Sequence, residues 1–237
     1  MDSHIGHSQV ASLDMAAPDS EAWPLRKVRL YRRHRQDGPL IVALEGPPLA
    51  GKSTLASRLV AIRPDALIFP DYYDGVPAER RPNFDPGSTE AQILAIREFL
   101  AVERQRFHAA HRESSRICIL DRSVESLRAH SGALDTIRGY SSRPALEAEL
   151  QAAENLSPDV ILYLNTPRPI LEKRLKTRAN HQELRRYLEP RFLASTEQYF
   201  RSLAQTRPNI HVLEIEDYLD KVPVAASRLL TAKGVIQ

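Results

Sequence analysis

Apolar residues come in short bursts along this chain, separated by polar stretches with a helical period. Leu40-Ile41-Val42-Ala43-Leu44 is a continuous apolar run that suits a strand covered on both faces. A Gly/Pro loop follows, and then Leu55, Leu59 and Ile62 recur at helical spacing within Ser53 to Ile62. Ala66 to Phe69 predicts a short strand ending in Pro70-Asp71, and residues 74–88, rich in Pro, Gly, Arg and Asp, predict an irregular connection. Ser88 or Thr89 can cap a long helix in which Ile93, Ile96, Leu100 and Phe107 keep the period. Arg116 to Leu120 is another buried-strand run, ending in Asp121-Arg122-Ser123. Pro144 to Glu154 reads as helix and Asp159 to Leu164 as strand. Thr166 can cap the next helix, with Pro167 and Pro169 in its first turn, where a missing N–H costs nothing. A helix from about Glu189 to Leu203, a strand Ile210 to Ile215 and a helix Val222 to Leu230 close the pattern.

Five strands alternating with helices predict an α/β fold of three layers, a mostly parallel five-stranded sheet with helices on both faces. The chain has 237 residues, enough for one such domain with a sizeable core. No internal repeat or low-complexity linker divides it, so the expected organisation is an N-terminal extension, residues 1–38, and a domain over 39–237. Residues 1–24 mix Ser, Asp, Ala, Pro and His without periodicity and read as a mobile tail.

The formal charge of +3 has a local origin. Arg26, Lys27, Arg29, Arg32, Arg33 and Arg35 lie together with no acid among them; without these six, 27 basic residues face 30 acidic ones. Such a run can meet nucleic acid or anionic lipid, or it can be a solvated edge segment packed through Leu25, Val28 and Leu30. The rest of the chain has no basic stripe of the kind a nucleic-acid reader needs, so no nucleic-acid partner is expected. No stretch approaches the ~20 apolar residues of a membrane span, and the first twenty residues lack the basic and apolar regions of a secretory signal. The single cysteine, Cys118, has no partner in the chain for a disulfide, which fits a reducing cytoplasm.

Gly46-Pro47-Pro48-Leu49-Ala50-Gly51-Lys52-Ser53-Thr54 fits the phosphate-loop pattern G-x-x-x-x-G-K-[ST], between a buried strand and an amphipathic helix. Gly51 lets successive N–H groups turn inward toward phosphate oxygens, and the helix N-terminus adds partial positive charge. Lys52 then reaches the β- and γ-phosphates of ATP and the Ser53 hydroxyl ligates Mg²⁺. A second acid is needed at a neighbouring strand end for the magnesium water shell, and Asp121 is the candidate. Arg122 follows it and can steer an acceptor oxygen or phosphate with its planar fork, or the pair can simply cap the next helix.

At about 100° per residue, Arg168, Leu171, Arg174, Leu175 and Arg178 share one helix face, while Glu172, Lys173, Lys176 and Thr177 share the other. Arginines sorted onto the leucine side suit a lid that folds over the transferring phosphoryl group. Arginines at a helix border also snorkel with no further role.

These motifs carry a family resemblance. Asp121-Arg122-Ser123-Val124-Glu125-Ser126 resembles the [DE]-R-S-V-x-S element of deoxynucleoside kinases. Leu44-Glu45-Gly46 ahead of Gly51-Lys52-Ser53-Thr54 resembles the phosphate loop of deoxynucleoside and thymidylate kinases, and Ile210-His211-Val212-Leu213 the closing strand of the latter. Asp159 to Leu164 followed by Arg174 and Arg178 is similar to their last-but-one strand and lid. Asp71-Tyr72-Tyr73 with Asn83-Phe84-Asp85 resembles the acceptor region of uridine kinases. The thymidylate kinase run Arg-Glu-Pro-Gly-Gly-Thr has no counterpart, and Pro47-Pro48 is unusual for these families.

The resemblance implies an ATP- and magnesium-dependent kinase of a nucleoside-like small molecule, with Asp71 at the position where nucleoside kinases place their base. A hydroxyl acceptor needs such a base, whereas a nucleoside monophosphate is already ionised and needs none; Asp71 can equally be a turn former after Pro70. A monophosphate kinase, a kinase of another metabolite or antibiotic, and a regulatory or nucleic-acid-dependent NTPase are the alternatives, and a homodimer stays open. Tyr72, Tyr73, Phe84, Gln92 and Arg97 are available for recognising a base.

Overall fold

A computed structural model describes residues 38–151, 156–178 and 181–216, together with Ala226. The extension, its basic run and most of the expected helix over 222–230 lie outside the described residues; Ala226 itself is helical and fully buried.

The elements in chain order are β1 (Leu40–Glu45), α1 (Lys52–Ile62), β2 (Ala66–Phe69), α2 (Tyr72–Gly75), α3 (Thr89–Arg112), β3 (Ile117–Asp121), α4 (Val124–Arg138), α5 (Arg143–Gln151), β4 (Val160–Asn165), α6 (Arg168–Leu175), α7 (His181–Arg185), α8 (Pro190–Thr206) and β5 (Ile210–Glu214). Single 3-10 turns, Ala78–Arg80 and Arg186–Leu188, precede α3 and α8. The five strands form one sheet in the order β2-β3-β1-β4-β5, and all four pairings are parallel.

The apolar runs explain which strands are central. β1, β3 and β4 are buried nearly end to end, whereas β2 and β5 become partly exposed toward their ends. Successive residues serve opposite layers, as the two-residue period of a strand requires. Ile41, Ala43, Cys118, Leu120, Ile161 and Tyr163 pack with Ile96, Leu100 and Phe107 of α3, Leu127 of α4 and Phe200 of α8. Val42, Leu44, Ile117, Ile119, Leu162 and Leu164 face the other way, onto Leu55, Ala56 and Leu59 of α1.

Chain order reverses at β1: the connection after it leads to β2 on one side, and the connection after β3 crosses to β4 on the other. Open α/β sheets bind ligands at the carboxyl ends of strands beside such a switch. Both the phosphate loop after β1 and Asp121 at the end of β3 arrive there.

Several details depart from the sequence expectation. α4 follows the Asp121–Arg122 pair as a helix whose bounds the sequence pattern does not mark, because its buried positions include Glu125, Ser126 and Ser131, which interrupt the apolar stripe. The cap of α3 is Ser88, whose hydroxyl accepts from Ala91 N at 3.2 Å. Thr166 does not cap α6; its hydroxyl donates to Ala50 O, 3.4 Å away in the phosphate loop. α6 also ends at Leu175, and a tight turn, Arg178 N donating to Leu175 O at 3.0 Å, carries the chain to Arg178.

Candidate active site

The phosphate loop needs unusual backbone at three places: Gly46 (φ 139°), Leu49 (φ 68°) and Gly51 (φ 102°). A Cβ at Gly46 would lie 2.8 Å from the carbonyl oxygen of Leu164, so this turn closes only on glycine. Gly51 is the left-handed residue before the first turn of α1, where it aims the helix N-terminus into the loop. Lys52 opens that helix, and its ammonium donates to the carbonyls of Gly46 (3.2 Å) and Pro47 (3.3 Å). Burial, then the nearby Arg122 charge, lowers the Lys52 amine to about 8, with Asp121, Asp71 and Glu45 opposing.

The Ser53 hydroxyl donates to Asp121 Oδ2 at 2.8 Å. The other carboxylate oxygen, Oδ1, is buried and has no hydrogen-bond partner among the described residues. A hydroxyl and a half-satisfied carboxylate beside a phosphate loop suit a hydrated Mg²⁺ carried by nucleotide phosphates, since hard cations of this size keep waters and take oxygen donors.

Arg122 has a left-handed backbone, φ 68°. Its Nε lies 2.7 Å from Asp71 Oδ2, with both side chains about one-fifth exposed. Burial opposes the Arg122 charge, but Asp71 and neighbouring Tyr72, Tyr187 and Asp121 raise the guanidinium above its ordinary value. Asp71 also caps α2, since its Oδ1 accepts from Tyr73 N at 3.0 Å. One carboxylate therefore both forms the turn after Pro70 and pairs with Arg122.

Beneath this pair lies Glu45, fully buried at the end of β1. It accepts from Ser123 N (2.8 Å) and Ser123 Oγ (2.6 Å), and from the Ser126 hydroxyl. Burial pushes its carboxyl up to about 7, against the Ser123 and Ser126 hydrogen bonds. Glu45 thus ties the strand that launches the phosphate loop to the first turn of α4. Its sequence signal was only its place ahead of Gly46; a carboxylate ending an apolar run can point to either layer.

Two hollows meet at the loop. A cleft of about 700 Å³ is lined by Lys52, Ser53, Asp121, Arg122 and Asp71 at its polar end and by Tyr72, Phe84, Phe99 and Tyr187 along its walls. Gln92, 4% exposed, and Ser131, whose buried hydroxyl has no partner among the described residues, line the same cleft. A smaller niche of about 440 Å³ is lined by Gly51, Lys52, Ser53, Thr54, Arg174 and Arg178. Leu49, Lys52 and Ser53 belong to both, so the loop is their shared wall.

Arg174 Nη1 donates to the loop carbonyls of Leu49 (2.9 Å) and Ala50 (3.1 Å), and Arg178 borders the niche beside it. Arg168 takes no part: it pairs with Glu172 at 2.8 Å on the exposed start of α6. Arg97, offered by the sequence for base recognition, instead pairs with Glu149 at 2.9 Å on the outside of α3. Asp85 is engaged by Arg138 and Tyr140, each at 2.6 Å, while its neighbours Asn83 and Phe84 face the cleft. Sequence reasoning missed His130 and Tyr187, which pack on Phe84 with ring centroids 5.1 and 4.5 Å away. They come from distant segments and carry no local motif.

The order of the parallel sheet, with its reversal at β1, is the fold of solved thymidylate and deoxyadenosine kinases. Comparison with known proteins agrees. A thymidylate kinase of Latilactobacillus sakei subsp. sakei (strain 23K) is 26% identical over 186 residues, covering 71% of this chain and 83% of the relative. A solved thymidylate kinase from Candida albicans superposes with a TM-score of 0.62 at 18% identity, covering 84% of this chain and 94% of that one. A deoxyadenosine kinase from M. mycoides, solved with bound dCTP, gives a TM-score of 0.63 at 17% identity, covering 81% and 100%. No family model matches the chain.

Proposed function

We propose that this protein is an ATP-dependent kinase that moves the γ-phosphate of Mg-ATP to a hydroxyl of a nucleoside or nucleoside-like small molecule. The observation that carries this reading is the position of Asp71: a carboxylate at the polar end of the acceptor cleft, 2.7 Å from Arg122 and lining the same hollow as Lys52 and Ser53.

In this reading the loop amides and Lys52 hold the β- and γ-phosphates in the niche that Leu49, Gly51, Lys52, Ser53 and Thr54 line. Ser53 and Asp121 would hold the water shell of a magnesium ion, which would supply neutralisation of phosphate charge. Asp71 accepts the proton of the acceptor hydroxyl. The acceptor oxygen bonds to the γ-phosphorus, the bond from that phosphorus to the bridging oxygen breaks, and ADP carries away the electron pair. Arg122 orients Asp71 and the acceptor, while Arg174 and Arg178 face the equatorial oxygens from the niche. The tyrosines and phenylalanines of the cleft suit a flat ring, with Gln92 supplying an amide for its polar edge.

A monophosphate acceptor is the second reading, favoured by Arg81, Arg122 and Arg186 lining the cleft and by the thymidylate kinase relatives. A coupled ADP-release assay over panels of nucleosides and nucleoside monophosphates separates the two. Under hydroxyl transfer Asp71→Asn lowers kcat by roughly 10²–10⁴. The amide oxygen of asparagine still caps α2, so the fold survives. A kcat within threefold of wild type, with monophosphates as the turned-over class, establishes the second reading instead. No helix among the described residues is long and apolar enough to cross a membrane.

A further inference from the structure

Among the described residues only Leu49 and Arg122 are non-glycine residues in the left-handed region, and both lie at the phosphate site. Leu49 belongs to the loop itself. Arg122 is different, because its turn ends β3 and sets two functional side chains at once, Asp121 toward Ser53 and Arg122 toward Asp71. A strained residue persists only where its surroundings over-determine it.

One restraint is the sheet, since Arg122 N donates to Leu44 O at 3.0 Å. The other comes from α3. Arg106 Nη2 donates to the carbonyl of Asp121 at 3.1 Å and reaches that of Arg122 at 3.4 Å. Arg106 Nη1 donates to Glu103 Oε2 at 2.6 Å, one helical turn away. Arg106 is 9% exposed and Glu103 wholly buried. The guanidinium also lies over the ring of Tyr72, 5.8 Å from its centroid, next in sequence to Asp71. The phosphoryl-transfer reading uses neither Glu103 nor Arg106. Stability is a poor reason for the pair, because apolar residues of similar volume usually serve a core at least as well as a buried ion pair.

We propose that Arg106, oriented by Glu103, is a positioning residue that holds the left-handed Asp121–Arg122 turn, and through it the magnesium-shell carboxylate and the Arg122–Asp71 pair. The planar fork holds Glu103 through Nη1 and the two carbonyls through Nη2 at once, a fixed geometry that the shorter, unforked lysine side chain lacks. The inference rests on the site reading given above.

The test is steady-state kinetics with Mg-ATP and the best acceptor of the nucleoside and monophosphate panels. Arg106→Lys is expected to lower kcat at least tenfold, with the KM for Mg-ATP changed less than threefold. In an Arg122→Ala background the same substitution is expected to cost clearly less than in the wild-type background, because the part of its effect that passes through the Arg122–Asp71 pair is already lost while the part through Asp121 remains. Equal losses in both backgrounds, or a kcat for Arg106→Lys within twofold of wild type, overturn the proposal. Should Arg106→Lys not fold, the doubly apolar Glu103→Met/Arg106→Met protein takes its place. It is expected to fold with an unchanged thermal midpoint and to show the same loss of kcat; wild-type turnover from it overturns the proposal. An Arg122→Ala protein with full activity overturns the underlying site reading instead, so the two failures are distinguishable.

Discussion

At Lys52 burial withdraws the ammonium from water, while the triphosphate it would meet in the proposed reaction favours the charged form. With the amine lowered to about 8, Lys52 is mostly charged at pH 7 in the free protein and loses its proton as pH rises through 8. A bound triphosphate restores the proton, so binding takes one up above that pH. The dissociation constant for Mg-ATP is therefore expected to be flat below about pH 7 and to rise by up to tenfold per unit above about pH 8. Calorimetry at pH 9 in buffers of different ionisation enthalpy should register the uptake; a flat affinity to pH 9.5 contradicts it. At this scale the phosphate loop was readable in the sequence, because its glycines, lysine and serine act through local backbone geometry. Asp71 was readable as a base or as a turn former; the structure shows the turn, with Oδ1 capping α2, and a pairing with Arg122 that no sequence pattern announced. Arg168 was placed on the wrong side because an i,i+4 partner, Glu172, was available on the exposed face.

Between elements, the joint of β1 and α4 decides how the loop meets the larger cleft. Glu45 accepts three hydrogen bonds from Ser123 and Ser126, and Ser123 Oγ in turn accepts from Glu125 N to cap α4. No sequence periodicity announces such a joint, and the same polar residues hid α4 itself. The central strands were legible because continuous apolar runs need no partner to be recognised; a helix whose buried face carries Glu125, Ser126 and Ser131 is recognisable only with its tertiary partners in place. Burial raises the folded-state carboxyl of Glu45 from 4.5 to about 7, so between those values the native state binds more protons than the unfolded chain. Stability from this group is present at pH 4.5 and lost as pH rises to 7. Glu45→Gln keeps an acceptor for Ser123 and removes the titration. Its thermal midpoint should fall less than that of wild type between pH 5 and pH 8, the residual slope coming in part from Glu103, also raised by burial, to about 8. Parallel slopes for the two proteins would show that Glu45 does not titrate in this window.

Over the whole molecule, the sheet fixes the loop and the β3 acid, whereas α6 reaches across the niche from the far side of β4. The alternation of strands and helices made the three layers legible, but the cleft walls come from the connection before α3, from α4 and from the turn before α8, which no local pattern brings together. α6 is held by a small core, Leu171, Leu175 and Leu188 with Leu49 of the loop, and by Arg174 on the Leu49 and Ala50 carbonyls. If this arginine serves the transferring phosphoryl group, its loss should weaken the transition state more than the ground state. Arg174→Ala is then expected to lower kcat by roughly 10²–10³, the usual loss for one donor aimed at developing charge. Ground-state binding should survive. At a Mg-ATP concentration ~100 times its dissociation constant, ligand linkage adds ~2.7 kcal/mol to stability, and the variant should keep most of the resulting rise in thermal midpoint. Lys52→Ala should lose that rise along with activity, because the ammonium meets the same phosphates before and during transfer. A variant at Arg174 that loses ATP stabilisation and turnover in equal measure would place this side chain among the ground-state contacts of the loop, and α6 would then be a wall of the niche with no role specific to the transfer step.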